Sequence, residues 1–224
     1  VLDIVYNPAR TALLLQAETL GIPCSDGLPM LVAQAKAAEE HFFDRPIAGH
    51  ENERILAQLR REMTNLVLIG MPGSGKSTVG AALTARTGRE AIDIDARIAE
   101  KAGCSIPEIF AKGGEAAFRA LEREVTAACG ALSGKLLLTG GGVVKTPENY
   151  AALHQNGRIY QLLRPLEMLP TDGRPLSQGA DLAAMWAERA PLYERFRDAA
   201  IDNSGTVEQT AQAIWRDFCE NSGH

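Results

Sequence analysis

Short apolar runs alternate with longer amphipathic stretches from about residue 65 to about residue 220. The apolar runs, which predict strands, cover residues 66–69, 91–94, 136–138, 159–163 and 199–201. Helical patterns fill the intervals, and this alternation predicts an α/β fold with a five-stranded parallel sheet covered by helices on both faces. In such sheets the ligand lies beyond the carboxyl ends of the strands, so we expect the functional residues there.

Two further segments precede this region. Residues 1–42 begin with an apolar stretch and continue with helical patterns over 11–20 and 29–40, which predicts a short helical appendage. Residues 43–63 are charged and polar, and they predict a proline-broken linker followed by a short amphipathic helix. The pattern therefore predicts three units, with the α/β domain spanning residues 64–224.

Composition narrows the class of protein. Of the 224 residues 46% are hydrophobic, enough for a substantial core, and the net charge of −5 argues against nucleic-acid binding through bulk charge. No apolar run has the length of a bilayer span and none resembles a signal peptide, so we expect no membrane partner. The cysteines are scattered, as is typical of reduced thiols in a cytoplasmic protein: they are Cys24, Cys104, Cys129 and Cys219. Because the chain starts at Val1 rather than Met, we expect it to be a piece of a longer protein.

A glycine-rich loop carries the strongest chemical signal. Residues 70–77, which end in Gly75, Lys76 and Ser77, match the pattern Gly-x-x-x-x-Gly-Lys-Ser/Thr of phosphate-binding loops. The loop lies between a predicted strand and a predicted helix, so backbone N–H groups and the helix N-terminus would surround an anion. Lys76 would reach the terminal phosphates, and the Ser77 hydroxyl would ligate Mg²⁺. The sequence predicts a P-loop NTPase-type domain; the alternative is a glycine-rich turn that binds nothing.

Two carboxylates follow the second predicted strand. Alternation along an extended strand would put Asp93 and Asp95 on one side of the strand end. One would help to hold Mg²⁺ and the other would face an acceptor hydroxyl; the alternative is a pair of solvated turn acids. No acidic residue closes the run 136–138, so Asp93 is the candidate for the missing magnesium-holding carboxylate.

Two arginines and a glycine triplet complete the candidate chemistry. Arg119 and Glu122 lie three residues apart on a predicted helix, either as a surface ion pair or as a guanidinium held toward a substrate carboxylate. The run 136–138 leads into glycines 140–142, which predicts a close approach of the backbone to another group. Arg174, in a loop with glycine and proline, would close over phosphates or be an exposed turn residue. Arg189 has no separate indication of function.

Together these residues resemble the shikimate kinase family in one ordered set over about residues 65–220. The set comprises the glycine-rich loop, Asp-x-Asp, Ile-x-x-Ile-Phe, Gly-Glu-x-x-Phe-Arg-x-x-Glu, the glycine triplet, Arg-Pro-Leu and Arg-x-Pro-Leu-Tyr. The resemblance implies a three-layer α/β/α fold of the nucleotide monophosphate kinase type. It also implies ATP-dependent phosphorylation of the shikimate 3-hydroxyl, with Mg²⁺ as cofactor, by a monomeric kinase domain.

The resemblance also implies residue roles. Gly73, Ser74, Gly75, Lys76, Ser77 and Thr78 would bind ATP, and Asp93 would join the magnesium shell through water. Asp95 would bind the shikimate hydroxyls and take the proton of the reacting one. Arg119 and Arg189 would hold the shikimate carboxylate, with Glu122 orienting Arg119 and with Gly140, Gly141 and Gly142 lining the substrate. Lys76, Asp95 and Arg174 are the expected catalytic residues, and Arg174 would close with the lid onto ATP.

The chain departs from the family pattern in the segments that would contact the adenine ring of ATP. The lid, residues 165–176, is short, and the family's adenine-stacking arginine aligns with the apolar Leu169, whereas Arg164 is out of register. The loop 202–205 lacks the family's usual proline. These departures affect the expected adenine packing, while the acceptor residues are all present.

Residues 1–42 have a resemblance of their own, to the C-terminal end of shikimate dehydrogenase. In that family Tyr6 and Gln34 would lie near shikimate. The catalytic Lys-Asp half and the nucleotide-binding glycine motif are absent from this sequence, so the segment cannot be a dehydrogenase by itself. We therefore expect it to be a fragment from a fusion of two enzymes of one pathway. Two other functions remain open: a P-loop kinase for a different small acceptor such as gluconate, and a non-catalytic nucleotide-binding domain.

Overall fold

The computed structural model describes residues 1–169 and 181–222. Within these residues five parallel strands form one sheet in the order β2-β3-β1-β4-β5. The strands are β1 (Asn65–Ile69), β2 (Ala91–Asp93), β3 (Leu136–Leu138), β4 (Gly157–Leu163) and β5 (Ala199–Asp202). The predicted five-stranded parallel sheet is confirmed, although β2 ends one residue earlier than expected.

Helices connect the strands and precede the first of them. In the described ranges they are α1 (Ala12–Thr19), α2 (Leu28–Phe43), α3 (His50–Met63), α4 (Lys76–Thr87), α5 (Ile94–Ala102), α6 (Ile106–Gly130), α7 (Glu148–His154), α8 (Asp181–Phe196) and α9 (Val207–Asn221). Short 3₁₀ helices cover Val143–Lys145 and Leu166–Met168. None of the helices described is long and apolar enough to cross a bilayer.

The sheet separates two hydrophobic cores. Leu66 and Leu68 of β1 face the side covered by α4 and α9, where Phe218 is fully buried. Val67 and Ile69 face the opposite side, which is covered by α5 to α8. Successive strand residues point to opposite faces, so an uninterrupted apolar run serves both layers. The predicted three-layer α/β/α architecture is confirmed.

The N-terminal appendage contacts the amino end of the sheet. Ala9 N donates a hydrogen bond to Asn156 Oδ1 (2.7 Å), and Arg10 N donates to the carbonyl of Gln155 (2.8 Å). These two partner residues directly precede β4. The glycine-rich loop instead follows the carboxyl end of β1. Because the strands are parallel, the appendage and the glycine-rich loop lie at opposite ends of the strands.

His154 links the appendage with the α/β domain. Its Nε2 lies 3.6 Å from Glu18 Oε2 in α1, and its Nδ1 lies 3.7 Å from Asp198 Oδ1 beside β5. The Tyr150 ring stacks on the imidazole at 4.9 Å, and Arg10 Nη1 donates to the His154 carbonyl. Burial by itself would lower the pKa of His154, but the two carboxylates outweigh burial and raise this pKa. Protonated His154 therefore stabilises the contact between the appendage and the sheet.

A pH dependence of stability follows from this contact. A raised folded-state pKa contributes stability that is complete below the unfolded-state value of 6.5 and is lost as the pH rises through the folded-state value. We expect the free energy of unfolding to fall between about pH 6 and about pH 9, and His154→Gln to flatten that fall. Urea unfolding at both pH values measures the effect, and His41→Gln on the exposed surface of α2 is the matched control. Equal pH dependence in the two variants would contradict this assignment.

Candidate active site

A cavity of about 610 Å³ opens at the carboxyl ends of the strands. The predicted site residues that line it are Gly73, Gly75, Lys76, Ser77, Thr78, Asp93, Asp95, Arg119, Gly140, Gly141, Gly142 and Arg189. Ser74 is buried in the glycine-rich loop itself. Arg174 lies outside the described residues. The fold therefore brings together side chains that are more than a hundred residues apart in sequence.

The glycine-rich loop, residues 70–77, connects β1 to α4. Gly75 has a φ of +94°, a left-handed conformation that side chains rarely adopt, and helix α4 begins at the next residue. Lys76 Nζ donates to the carbonyls of Gly70 (2.8 Å) and Met71 (3.0 Å), so the ammonium group is held over the loop. Ser77 and Thr78 are exposed in the first turn of α4. The loop and the positive end of the helix dipole thus form an anion site.

Asp93 and Asp95 both line the cavity, but the predicted geometry is wrong. Asp93 is the last residue of β2 and caps α5, because its Oδ1 accepts a hydrogen bond from Ala96 N (3.1 Å). Asp95 is in the first helical turn rather than on an extended strand. The capping carboxylate favours helix from residue 94 onward. Asp93 and Asp95 line the same cavity because helix α5 starts at Ile94, directly after the strand.

Asp95 is the more buried of the two acids. Its Oδ1 is enclosed and has no hydrogen-bond partner among the described residues. Burial raises the pKa of Asp95 above its usual value, and the charge of Asp93 adds to the effect, while Lys76 and Arg119 oppose it. A half-buried carboxylate that lines the cavity and has a raised pKa is suited to accepting a proton.

Arg119 is directed into the cavity by a break in helix α6. Gly114 has a φ of +66° within the helix, so the segment that carries Arg119 changes direction there. Arg119 Nη1 lies 2.6 Å from Glu122 Oε2 and donates to the carbonyl of Gly142 (3.0 Å); its Nε and Nη2 contact Glu115. The predicted pairing of Arg119 with Glu122 is confirmed.

Glu122 differs from an ordinary surface partner. Its side chain is 1% exposed, whereas the Arg119 side chain is 19% exposed. Burial raises the pKa of Glu122, although the Arg119 guanidinium works in the opposite direction. The buried Glu122 carboxylate therefore depends on Arg119 for compensation of its charge. The alternative, a solvated surface ion pair, does not fit this burial.

The glycine triplet makes room for the other site residues. A Cβ atom at Gly140 would lie 2.5 Å from Asp95 Oδ1, one at Gly141 would lie 2.7 Å from Pro72 Cδ, and one at Gly142 would overlap the Arg119 guanidinium. The predicted close approach of the backbone is confirmed, and the approaching groups include these side chains of the protein. Three consecutive glycines thus allow the carboxylate and the arginine to face one space.

Arg189 approaches the same triplet from helix α8. Its Nη1 donates to the carbonyl of Gly141 (3.2 Å), which also accepts from the Tyr193 hydroxyl (2.6 Å). The residue is buried, and its Nε has no partner among the described residues. Arg119 and Arg189 therefore hold neighbouring carbonyls of one loop and present two guanidinium groups to one cavity.

The donor set fits a magnesium ion that is shared with phosphates. Ser77, Asp93 and Asp95 line one cavity, but the described ranges contain no cluster of three or more His, Cys, Asp or Glu residues that could hold a metal by themselves. Mg²⁺ usually keeps several waters and is bound through one or two carboxylates together with substrate phosphates. The residues present match that mode.

Arg164, which is out of register with the family's adenine-stacking arginine, also lines the cavity. Arg164 directly follows β4, lines the cavity, and its Nη1 lies 3.9 Å from where a Cβ on Gly75 would be. Leu169, at the aligned position, is buried in the core. The position of Arg164 at the carboxyl end of a predicted strand was the signal in the sequence that could have identified it.

Comparison with known proteins agrees with this geometry. The family model described as shikimate kinase matches residues 72–218. Shikimate kinase of Synechococcus sp. (strain CC9605) is 42% identical over 159 residues, which cover 67% of this chain and 80% of that protein. The enzyme of Xanthomonas oryzae pv. oryzae (strain PXO99A) is 40% identical over 163 residues, which cover 68% and 91%.

A solved structure gives the same result. Shikimate kinase from Acinetobacter baumannii in complex with shikimate superimposes with a TM-score of 0.67 and 32% sequence identity. The superposition covers 74% of this chain and 98% of that one. By the residues matched and by the fold they adopt, this chain belongs to the shikimate kinase family.

Proposed function

We propose that this chain transfers the terminal phosphoryl group of ATP to the 3-hydroxyl of shikimate, giving shikimate 3-phosphate on the way to the aromatic amino acids. A shikimate kinase is an ATP-using phosphotransferase. The observation that carries the proposal is one cavity with a phosphate-binding loop on one side and two arginines with the half-buried Asp95 carboxylate on the other. Phosphoryl transfer requires mainly positioning and charge neutralisation, and this arrangement supplies both.

On the nucleotide side, the backbone N–H groups of residues 73–78 would surround the phosphates of ATP. The Lys76 ammonium, already held over the loop, would neutralise charge on the terminal phosphates. Arg174 would close over the same phosphates, as the resemblance implies. Ser77 would ligate Mg²⁺ and Asp93 would hold one of its waters. When bound, Mg²⁺ would neutralise the developing phosphate charge.

On the acceptor side, Arg119 and Arg189 would bind the carboxylate of shikimate. Guanidinium groups match a carboxylate because their N–H groups form a planar fork. Glu122 would keep Arg119 in its orientation through the 2.6 Å contact. The backbone of the glycine triplet would lie against the substrate ring, with the N–H of Gly141 as a donor.

Asp95 would act as the proton acceptor for the reacting hydroxyl. Asp95 lines the cavity beside Gly140, where an acceptor hydroxyl would lie between its carboxylate and the glycine-rich loop. Its raised pKa makes it a better base than an exposed carboxylate. The proton would move from the 3-hydroxyl to Asp95 as the oxygen attacks the terminal phosphorus.

A coupled ADP-release assay with Mg·ATP tests the proposal. We expect turnover with shikimate and background rates with gluconate or with no acceptor. Asp95→Asn keeps the shape of the side chain but removes the base, so we expect kcat to fall by about 10²–10⁴-fold. Asp44→Asn, on the exposed surface, is the matched control and should leave kcat unchanged.

The other outcomes of this assay would identify a different function. Turnover with gluconate but not with shikimate would indicate another small-molecule kinase. ADP binding without acceptor-dependent turnover would indicate a nucleotide-binding domain without catalysis. A wild-type kcat in Asp95→Asn would show that Asp95 is not the proton acceptor.

For the appendage, we infer that residues 1–42 are the C-terminal end of a shikimate dehydrogenase-like domain fused to the kinase. The inference is supported by the sequence resemblance and by exposed apolar side chains such as Leu2 (85%) and Phe42 (81%), which a larger domain would cover. The kinase domain would act as a monomer, as the resemblance to shikimate kinases implies. The four unpaired thiols of the described chain, one in the appendage and three in the kinase domain, suit the reducing cytoplasm.

A further inference from the structure

Asn203 lies in the turn after β5, within the loop 202–205 that departs from the family pattern near the expected adenine position, and its side chain has no role assigned above. It is buried, and its Nδ2 donates a hydrogen bond of 2.7 Å to the carbonyl of Ser74 in the glycine-rich loop. Its Oδ1 accepts from the Thr210 hydroxyl of α9 (2.8 Å). A buried amide thus joins the turn after β5 to the phosphate-binding loop across 129 residues of sequence.

The hydrogen bonds fix which way this amide points. Thr210 donates to the oxygen of Asn203, so the nitrogen faces Ser74. The reverse orientation would put two oxygen atoms 2.7 Å apart in a buried place, which is unfavourable. The amide nitrogen of Asn203 is therefore the atom that donates to the Ser74 carbonyl.

The Ser74 carbonyl and the Gly75 N–H belong to the same peptide unit. In a planar trans peptide the C=O and the N–H point in opposite directions. Asn203 holds the carbonyl on its own side of the loop, so the N–H of Gly75 is directed the other way. Gly75 lines the nucleotide side of the cavity, and it has no side chain that would resist rotation of this peptide.

We propose that Asn203 is a positioning residue that keeps the Ser74–Gly75 peptide with its N–H toward the phosphates of the nucleotide. Without this hydrogen bond the peptide would turn and present a carbonyl oxygen to the phosphates, with loss of a donor and gain of a repulsive contact. The inference rests on the proposed function only in that ATP binds at the glycine-rich loop.

Asn203→Leu is the decisive variant. It keeps the approximate shape of the side chain, removes the donor to the Ser74 carbonyl and adds no charge beside the phosphates. We expect the Kd for ADP, measured by calorimetry, to rise about ten-fold or more, because a hydrogen bond to a charged phosphate is lost. The KM for ATP should rise in parallel, while kcat at saturating ATP and the Kd for shikimate stay within about two-fold.

Asn65→Leu is the matched control. Asn65 is also a fully buried asparagine whose amide donates to a backbone carbonyl, that of Leu132, but it lies at the amino end of β1. It should lower stability without changing the Kd for ADP. If Asn203→Leu does not fold, Asn203→Ala replaces it, and there we expect a rise of about five-fold in the Kd for ADP.

The outcomes separate the two proposals. An unchanged Kd for ADP in the folded Asn203 variant would overturn the positioning role, as would equal losses of ADP and shikimate affinity, which indicate general disruption of the site. Calorimetry with ADP needs no turnover. A wild-type protein that binds ADP but does not phosphorylate shikimate would therefore refute the proposed function and leave the role of Asn203 to be decided by the same titration.

Discussion

Lys76→Met is expected to reduce kcat by about 10³-fold or more at saturating ATP and shikimate. Lys76 Nζ is held 2.8 Å from the carbonyl of Gly70 and 3.0 Å from that of Met71, at the loop where the phosphates would bind. The ammonium stabilises negative charge that grows on the phosphates in the transition state, within a partly desolvated cavity where such interactions are strong. Methionine keeps most of the side-chain volume and removes the charge.

Coupled ADP release at saturating substrates measures this effect. Lys101→Met is the control, because Lys101 pairs with Glu124 at 2.7 Å on the exposed surface of α5 and is remote from the reaction. We expect wild-type kcat for the control, since an exposed ion pair contributes little. A kcat for Lys76→Met within about ten-fold of wild type would show that another cation neutralises the phosphates.

Arg119→Met is expected to weaken shikimate binding by about 10- to 100-fold, because charge-assisted hydrogen bonds to the carboxylate are lost. An arginine that only held a substrate carboxylate could be removed with much more damage to binding than to the fold. The burial of Glu122, at 1% exposure, changes that expectation. Without Arg119 the Glu122 carboxylate is buried without its charge partner, and we expect a loss of about 3–5 kcal/mol in the free energy of unfolding.

A second substitution separates the two effects. In Arg119→Met/Glu122→Met the buried charge is absent, so we expect most of the stability to return while the Kd for shikimate stays high. Urea unfolding and a shikimate titration measure the two quantities. The single variant should regain stability as the pH falls, because protonation of Glu122 removes its charge. If shikimate affinity returned with stability, Arg119 would be a structural residue and not a ligand of the carboxylate.

The order of the elements was predictable from local pattern, and so were residues that line the cavity. Apolar runs specify buried strands because both faces of a parallel sheet are covered, as at residues 66–69. The glycine-rich loop is specified by residue type, since Gly75, Lys76 and Ser77 each have a chemical requirement that few other residues meet. Arg119 and Glu122 are neighbours on a helix, so their pairing follows from a spacing of three residues.

Other features depend on groups that are distant in sequence. The positions of Asp93 and Asp95 were predicted from strand alternation, but a helix that starts at Ile94 brings them together. Nothing in the local pattern separates a buried Glu122 from a solvated one, because burial is decided by what α6 packs against. The functional roles of Asp95, Arg119 and Arg189 remain predictions until substrate binding is measured.

By itself, then, the sequence determined the sheet, the phosphate-binding loop and the family, because these depend on short-range periodicity and on residue types with narrow chemical uses. Only the tertiary structure decided that the glycine triplet makes room for Asp95 and Arg119, that Asn203 holds the Ser74 carbonyl, and that the appendage contacts the opposite end of the sheet. Those features are contacts between segments far apart in the chain. Such contacts are fixed by the packing of the whole domain and leave no periodic signal in the sequence.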